Sequence, residues 1–170
     1  KPGNTPEINW NNSMSIRFIT KGIRLPQDGS YFFYGLGGYV ESAENVETAD
    51  VRDANNMFAN NSTFNGNVTD LSRWNMRKVL DLSEMFAGCS HSVSSVSAAP
   101  DMSKWKLNSA TNMRRMFAVT NFDRVDFDIS KWNVSKVTDM SGMFYASKFK
   151  KLDLSKWELN SALKNKSYEP

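Results

Sequence analysis

The chain has 170 residues, of which 40% are apolar and 12% aromatic, so it can bury a core of ordinary domain size and is not a disordered polymer. It carries 21 Lys and Arg against 18 Asp and Glu, and this net charge of +3 is too small and too evenly spread for a nucleic-acid-binding protein. The single Cys89 excludes an internal disulfide framework and a cysteine zinc site. No apolar run approaches the ~20 residues that span a bilayer, so we expect no membrane insertion of this segment.

Residues 1–40 have a composition of their own. Met14, Ile16 and Phe18 alternate with polar residues, and an aromatic run follows the turn sequence Pro-Gln-Asp-Gly at 26–29. This pattern predicts a β-hairpin. We expect the hairpin to form an N-terminal β-rich cap over the open edge of the part that follows.

The sequence from 41 to 170 repeats itself. The pentapeptide Asp-apolar-Ser-basic-Trp occurs four times, ending at Trp74, Trp105, Trp132 and Trp157. A Met-Phe pair follows each of the first three copies, and its Phe lies 12 residues after the Trp, at Phe86, Phe117 and Phe144; Phe58 has the same place in a degenerate first copy. The constant offset indicates a rigid unit, so we expect these eight Trp and Phe side chains to form the structural core.

Each copy combines two local patterns. The alternating run before the Trp predicts a short strand, and apolar residues spaced by three after it predict a helical segment. About 25 residues cannot bury both faces alone, so copies must stack. We therefore predict an α/β fold, a leucine-rich-repeat-like solenoid with short parallel strands and short helical segments, in which residues 41–170 form four to five copies with a polar or truncated C-terminal end.

The stretch from Asp128 to Phe144 reads Asp-Ile-Ser-Lys-Trp-Asn-Val-Ser-Lys-Val-Thr-Asp-Met-Ser-Gly-Met-Phe and resembles the repeats of BspA-like leucine-rich-repeat surface proteins. The resemblance covers roughly residues 46–163. It implies a secreted or cell-surface bacterial protein whose signal peptide and anchor lie outside this segment, with a role in adhesion. It implies no catalytic residues, and residues 1–40 lie outside it.

The basic residues directly before the tryptophans are expected to form a column of candidate binding residues, which are Arg73, Lys104, Lys131 and Lys156. Like charges ~5 Å apart repel by about 0.8 kcal/mol in water, so the column must be solvated. Such a column can bind an anionic polymer, or it can simply be part of the solvated surface without a binding role. The aspartates that begin the pentapeptides could hold Ca²⁺, but such residues more often bond backbone N–H groups at turns, and we expect neither a metal nor another cofactor.

The third copy contains an insertion of six residues, which falls within 88–100. Insertions between stacked repeats map to loops, often on a binding face. The candidate binding residues of this loop are Ser90, His91, Ser92, Ser94 and Ser95. Cys89 and His91 lack a third group that would orient them, so we do not expect a catalytic pair.

No constellation of residues typical of catalysis stands out, so we expect no enzyme. The leading hypothesis is a non-catalytic binding or adhesion domain on a bacterial cell surface, a monomer that recognises a protein or glycan partner. The alternative is a structural spacer or capping domain of a larger surface protein.

Overall fold

The computed structural model describes residues 15–62, 69–90, 100–123 and 126–164, and its regular elements are short. The six strands have two residues each: β1 Ile16–Arg17, β2 Ile23–Arg24, β3 Val40–Glu41, β4 Val46–Glu47, β5 Asn121–Phe122 and β6 Lys148–Phe149. A 3₁₀ helix spans Ala43–Asn45, and α1 spans Ser161–Lys164. Turns and loops make up most of the other described residues.

The predicted α/β leucine-rich-repeat-like solenoid is wrong, because the described residues hold small parallel strand pairs, many turns and almost no helix. The pentapeptides form turns, not strands. After the tryptophans, consecutive tight turns replace the predicted helices: Val79 N–H donates to Met76 O at 3.2 Å and Met85 N–H to Leu82 O at 3.2 Å. A three-residue spacing of apolar side chains suits such i to i+3 turns as well as a helix, which explains the error.

The predicted N-terminal β-hairpin is also wrong. Strand β1 pairs in parallel with β3, and β2 pairs in parallel with β4, so the first segment lies alongside the next one. Its aromatic run is a turn that copies the repeat: Phe33 follows Asp28 by five residues, as Phe58 follows Asp53. Phe33 N–H donates to Met57 O at 2.9 Å. Residues 28–35 therefore form one more layer of the repeat, and we call them the first layer.

Parallel bridges connect each layer to the next at one position that recurs in all five layers. The bridged residues are Asp28, Asp53, Asp81, Asn112 and Asp139. Beyond the bridges, alternate N–H groups donate to the following copy, as Phe86 N–H does to Met116 O and Phe117 N–H to Met143 O, both at 2.9 Å. These bonds keep equivalent residues of neighbouring copies side by side, and the pair β5 and β6 extends the same register.

The core consists of aromatic side chains placed in register by these bonds. One row contains Phe33, Phe58, Phe86, Phe117 and Phe144, with successive ring centroids 5.1, 5.5, 5.7 and 5.9 Å apart. The tryptophans lie beside it: Trp74, Trp105 and Trp132 are 2–4% exposed, and Trp157 is half-buried. Their indole N–H groups donate to backbone carbonyls of the preceding copy at Ala43, Leu71, Met102 and Ile129. A buried indole needs such a partner, so each Trp both fills the core and fixes the register.

Candidate functional site

The basic residue before each Trp lies on the outside of its copy. The side chains of Arg73, Lys104, Lys131 and Lys156 are all exposed. The adjacent indoles hold these residues in place, since the Trp105 and Trp132 rings stack with centroids 6.1 Å apart and those of Trp132 and Trp157 at 6.5 Å. The stacking places Lys104, Lys131 and Lys156 side by side.

Three segments that begin at these residues form one surface, namely 73–78, 104–109 and 131–136. On one flank, Trp105 and Trp132 bond to carbonyls of the preceding copies at 2.9 Å. On the other flank, Thr111 N–H donates to Leu80 O at 2.9 Å, and Thr138 N–H donates to Thr111 O at 2.8 Å. Because both flanks are bonded copy to copy, the three segments lie next to each other.

This surface, which we call the basic strip, concentrates positive charge, so the charge is less evenly spread than the sequence suggests. Its Lys and Arg residues are Arg73, Arg77, Lys78, Lys104, Lys106, Lys131 and Lys136, all of them exposed, and its three segments contain no Asp or Glu. The other 14 Lys and Arg of the chain are outnumbered by its 18 Asp and Glu. Among the described residues, none of the seven side chains forms an ion pair. The strip is therefore a solvent-exposed surface of positive charge, and the rest of the chain carries a net negative charge.

The strip ends at both neighbouring copies. The equivalent segment on the N-terminal side, 45–50, contains Glu47 and Asp50 and no basic residue. On the C-terminal side, 156–161 has Lys156, but Glu158 follows two residues later. The positive charge thus belongs to the three central copies.

Of the five candidate binding residues in the predicted loop, the structure describes only Ser90. Ser90 is half-buried, forms a parallel bridge with Asn121 and donates its hydroxyl to Ser62 O at 2.9 Å. His91, Ser92, Ser94 and Ser95 lie outside the described residues. Ser90 therefore belongs to the bonded edge of its copy, which leaves its hydroxyl already engaged.

The surroundings of Cys89 make its thiol unreactive. Its side chain is 0% exposed, and its thiol donates to Phe58 O at 3.0 Å. Burial raises the pKa of Cys89 to about 12, although a backbone bond from Asn61 works in the opposite direction. Because the nucleophile is the thiolate, this thiol is inert at neutral pH and acts as a small core residue.

Carboxylates line an open depression of about 480 Å³ beside the second, third and fourth pentapeptides. Its lining residues are Pro100, Asp101, Met102, Asp126, Phe127, Asp128, Ser130, Lys151 and Asp153. Three of the carboxylates accept backbone N–H bonds two residues ahead, as Asp128 does from Ser130 at 2.9 Å. The Ser130 hydroxyl and N–H lower the pKa of Asp128. Within the described ranges, no group of three or more His, Cys, Asp or Glu residues is placed to hold a metal ion.

Comparison with known families gives two overlapping matches to one family model. The model is described as a Mycoplasma protein of unknown function, DUF285, and it matches residues 27–99 and 70–168. The chain belongs to the DUF285 family. No curated protein and no solved structure matches the chain.

The first DUF285 match begins at residue 27, immediately before Asp28, so the matched region includes the first layer. The described part of this DUF285 chain has no helix long and apolar enough to cross a bilayer.

Four members of the basic strip are missing from the sequence-predicted column: Arg77, Lys78, Lys106 and Lys136. The column was defined by one offset from the Trp, and these residues stand at other offsets. Counting charges by whole segments instead would have found them, because 73–78, 104–109 and 131–136 contain basic residues alone among their ionisable side chains.

Proposed function

We propose that this chain is a non-catalytic binding domain of a bacterial cell surface, and that its basic strip holds a protein or glycan partner rich in carboxylate or sulfate groups. The observation that carries the proposal is the row of seven exposed cations without ion pairs in the described part of the chain. The likeness of the 17-residue pattern to BspA-like surface proteins supports the location.

The affinity of the strip depends on the number of its cations and on how rigidly they are held. A single exposed ion pair contributes about 0–1 kcal/mol, so a useful affinity requires several of them at once. The strip supplies seven cations on neighbouring segments, and the indole stacking and copy-to-copy bonds hold those segments in place before a partner arrives. Preorganisation of this type reduces the entropy lost on binding.

Salt dependence is the first test. Heparin and poly-glutamate serve as anionic probes and dextran as the neutral one, with binding followed by titration calorimetry on the full chain. We expect both anionic probes to bind at about 0.01 M salt, where charges act over about 30 Å, and to be released at about 1 M, where the range is about 3 Å. Dextran should not bind at the strip.

A pair of charge-matched variants locates the contact. The strip variant carries Lys104→Gln, Lys131→Gln and Lys136→Gln; the control carries Lys21→Gln, Lys148→Gln and Lys151→Gln, which removes the same charge from exposed positions elsewhere. We expect the strip variant to bind heparin at least about tenfold more weakly than the control. Equal affinities would move the site away from the strip. Absence of anion binding by the parent chain would favour the spacer role instead.

A further inference from the structure

Two tyrosines stand exposed side by side in the first layer. Tyr31 is 55% exposed and Tyr34 is 39% exposed, and their ring centroids are 5.4 Å apart. The next three copies have no such pair, since the equivalent residues are Asn56 and Ala59, Glu84 and Ala87, and Arg115 and Ala118. The pair is therefore a feature of the first layer, and not of the repeat.

Both phenol groups are held by amides of the following copy. The Asn56 amide donates to Tyr31 Oη at 3.3 Å, and the Asn60 amide donates to Tyr34 Oη at 2.7 Å. Asn56 is itself 8% exposed and donates also to Asn55 Oδ1 at 2.9 Å, so its position is fixed. Because the phenol oxygens act as acceptors in these bonds, each O–H retains its own hydrogen for donation to a ligand.

Tyr31 also occupies a strained backbone position. Its φ is 57°, in the left-handed region that costs a residue with a side chain roughly 1–2 kcal/mol. The last copy has Gly142 at the equivalent position, with φ 60°, which avoids that cost. The left-handed conformation belongs to this position of the repeat, since Asn56, Glu84 and Arg115 have φ 54°, 55° and 52°. The turn therefore does not require a tyrosine at this position.

We propose that Tyr31 and Tyr34 form a binding site for a neutral oligosaccharide. Aromatic faces pack against the C–H faces of sugar rings, and the phenol O–H groups and the Asn60 amide offer hydrogen bonds to sugar hydroxyls. Antibody paratopes use the same residue types, Tyr for rigid contact area and Asn for adaptable hydrogen bonds.

Charge favours a neutral ligand. No ionisable residue other than tyrosine lies between 29 and 35. Asp28, the acidic residue of the same layer, accepts hydrogen bonds from the N–H and the hydroxyl of Ser30. The site is also separate from the basic strip, because the segment 45–50 of the adjoining copy carries acidic and not basic charge. Binding at the tyrosine pair and binding at the basic strip can therefore be tested independently.

The test uses the full chain with cellohexaose, chitohexaose and maltohexaose as probes, followed by saturation-transfer NMR and calorimetry. The site variant, Tyr31→Asn with Tyr34→Ala, installs the residues that Asn56 and Ala59 place in the next copy, so its fold should survive. The control is Tyr145→Ala, which removes a 62% exposed tyrosine from the position equivalent to Tyr34 in the last copy.

We expect at least one probe to bind the parent and the control equally, and to bind the site variant at least about tenfold more weakly at an unchanged melting temperature. Equal binding by the site variant would overturn the proposal, as would the absence of binding by all three sugars. Retained heparin binding in the site variant would show that such a failure concerns the tyrosine site alone, and not the basic strip.

Discussion

The inner copies and the last copy contain the same aromatic residues but bury them differently. Phe86 and Phe117 are 0% exposed, whereas Phe144 is half-buried. Trp132 is 3% exposed, whereas Trp157 is half-buried although its indole forms the same bond to the preceding copy. The aromatic residues of the last copy are therefore less buried than those of the inner copies, so the same motif stabilises the fold by different amounts at different places.

Backbone bonding follows the same division. Inner Phe86 donates its N–H to Met116 O, while Met85 O accepts from Phe58 N–H. In the last copy Met143 O accepts from Phe117 N–H, but the described residues offer no acceptor for the N–H of Phe144. Local opening should consequently begin at the last copy, where apolar contacts and edge bonds are fewest.

The largest expected difference concerns the tryptophans. Trp105→Ala should reduce the free energy of unfolding by ~3–5 kcal/mol, because it leaves a cavity and removes the bond to Leu71 O. Trp157→Ala should cost about half as much, since that side chain is already partly in water. Urea unfolding measures both values. Equal losses would mean that the second neighbour adds nothing to burial.

A matched pair of glycines should give a smaller difference. Gly88 has φ 69° and Gly35 φ 67° at equivalent positions, so alanine is strained at both. A methyl at Gly88 would also overlap Asn60 Oδ1 of the preceding copy, whereas at Gly35 nothing lies within 4 Å. We expect Gly35→Ala to cost about 1 kcal/mol and Gly88→Ala about 2 kcal/mol or more. Thermal unfolding of both variants checks this, and a larger loss at Gly35 would contradict it.

The positions of the core aromatic residues can be predicted from the sequence, whereas the fold class and the first layer cannot, for physical reasons. The 12-residue offset from Trp to Phe locates aromatic side chains that the structure packs against one another. Apolar spacing alone does not distinguish tight turns from a helix, so the fold class was mispredicted. The first layer is hard to predict because it lacks the Trp and has Phe32 where the other copies have Met. The five-residue offset from Asp28 to Phe33, which equals that from Asp53 to Phe58, is the sequence signal that indicates it.

A stabilising change should come from Val119. This β-branched residue is 55% exposed at φ 58°, the position at which Gly35 and Gly88 also lie. Val119→Gly relieves a left-handed strain of about 1–2 kcal/mol and adds about 0.5–1 kcal/mol of unfolded-state entropy, so we expect a net gain of about 0.5–1 kcal/mol. Val119→Ala, which keeps a Cβ, is the control and should gain less. A lower urea midpoint for the glycine variant would exclude strain at this position.

The smallest expected effect is electrostatic and depends on pH. Burial raises the pKa of Asp53, and the carboxylates of Asp81 and Asp28 in the adjoining layers add to the rise. Because the folded protein then binds a proton at Asp53 more tightly than the unfolded chain does, the ionised carboxylate lowers stability at neutral pH, and this cost disappears as pH falls through the folded-state pKa. Asparagine can accept the same backbone bond, since Asn112 Oδ1 accepts from Arg114 N–H at 3.0 Å at the equivalent position.

Asp53→Asn should therefore raise the free energy of unfolding at pH 7, by less than about 1 kcal/mol because the site is partly solvated, and the gain should vanish in acid. Asp128→Asn provides the opposite case. The Ser130 hydroxyl and N–H lower the pKa of Asp128, so its stabilising contribution is present above the unfolded-state pKa and is lost as pH falls through the folded-state value. Urea unfolding between pH 7 and acid should show Asp53→Asn more stable and Asp128→Asn less stable than the parent at pH 7, with both variants approaching the parent in acid. A loss of stability in Asp53→Asn at pH 7 would mean that Asp28, Asp53 and Asp81 do not repel one another enough to lower stability.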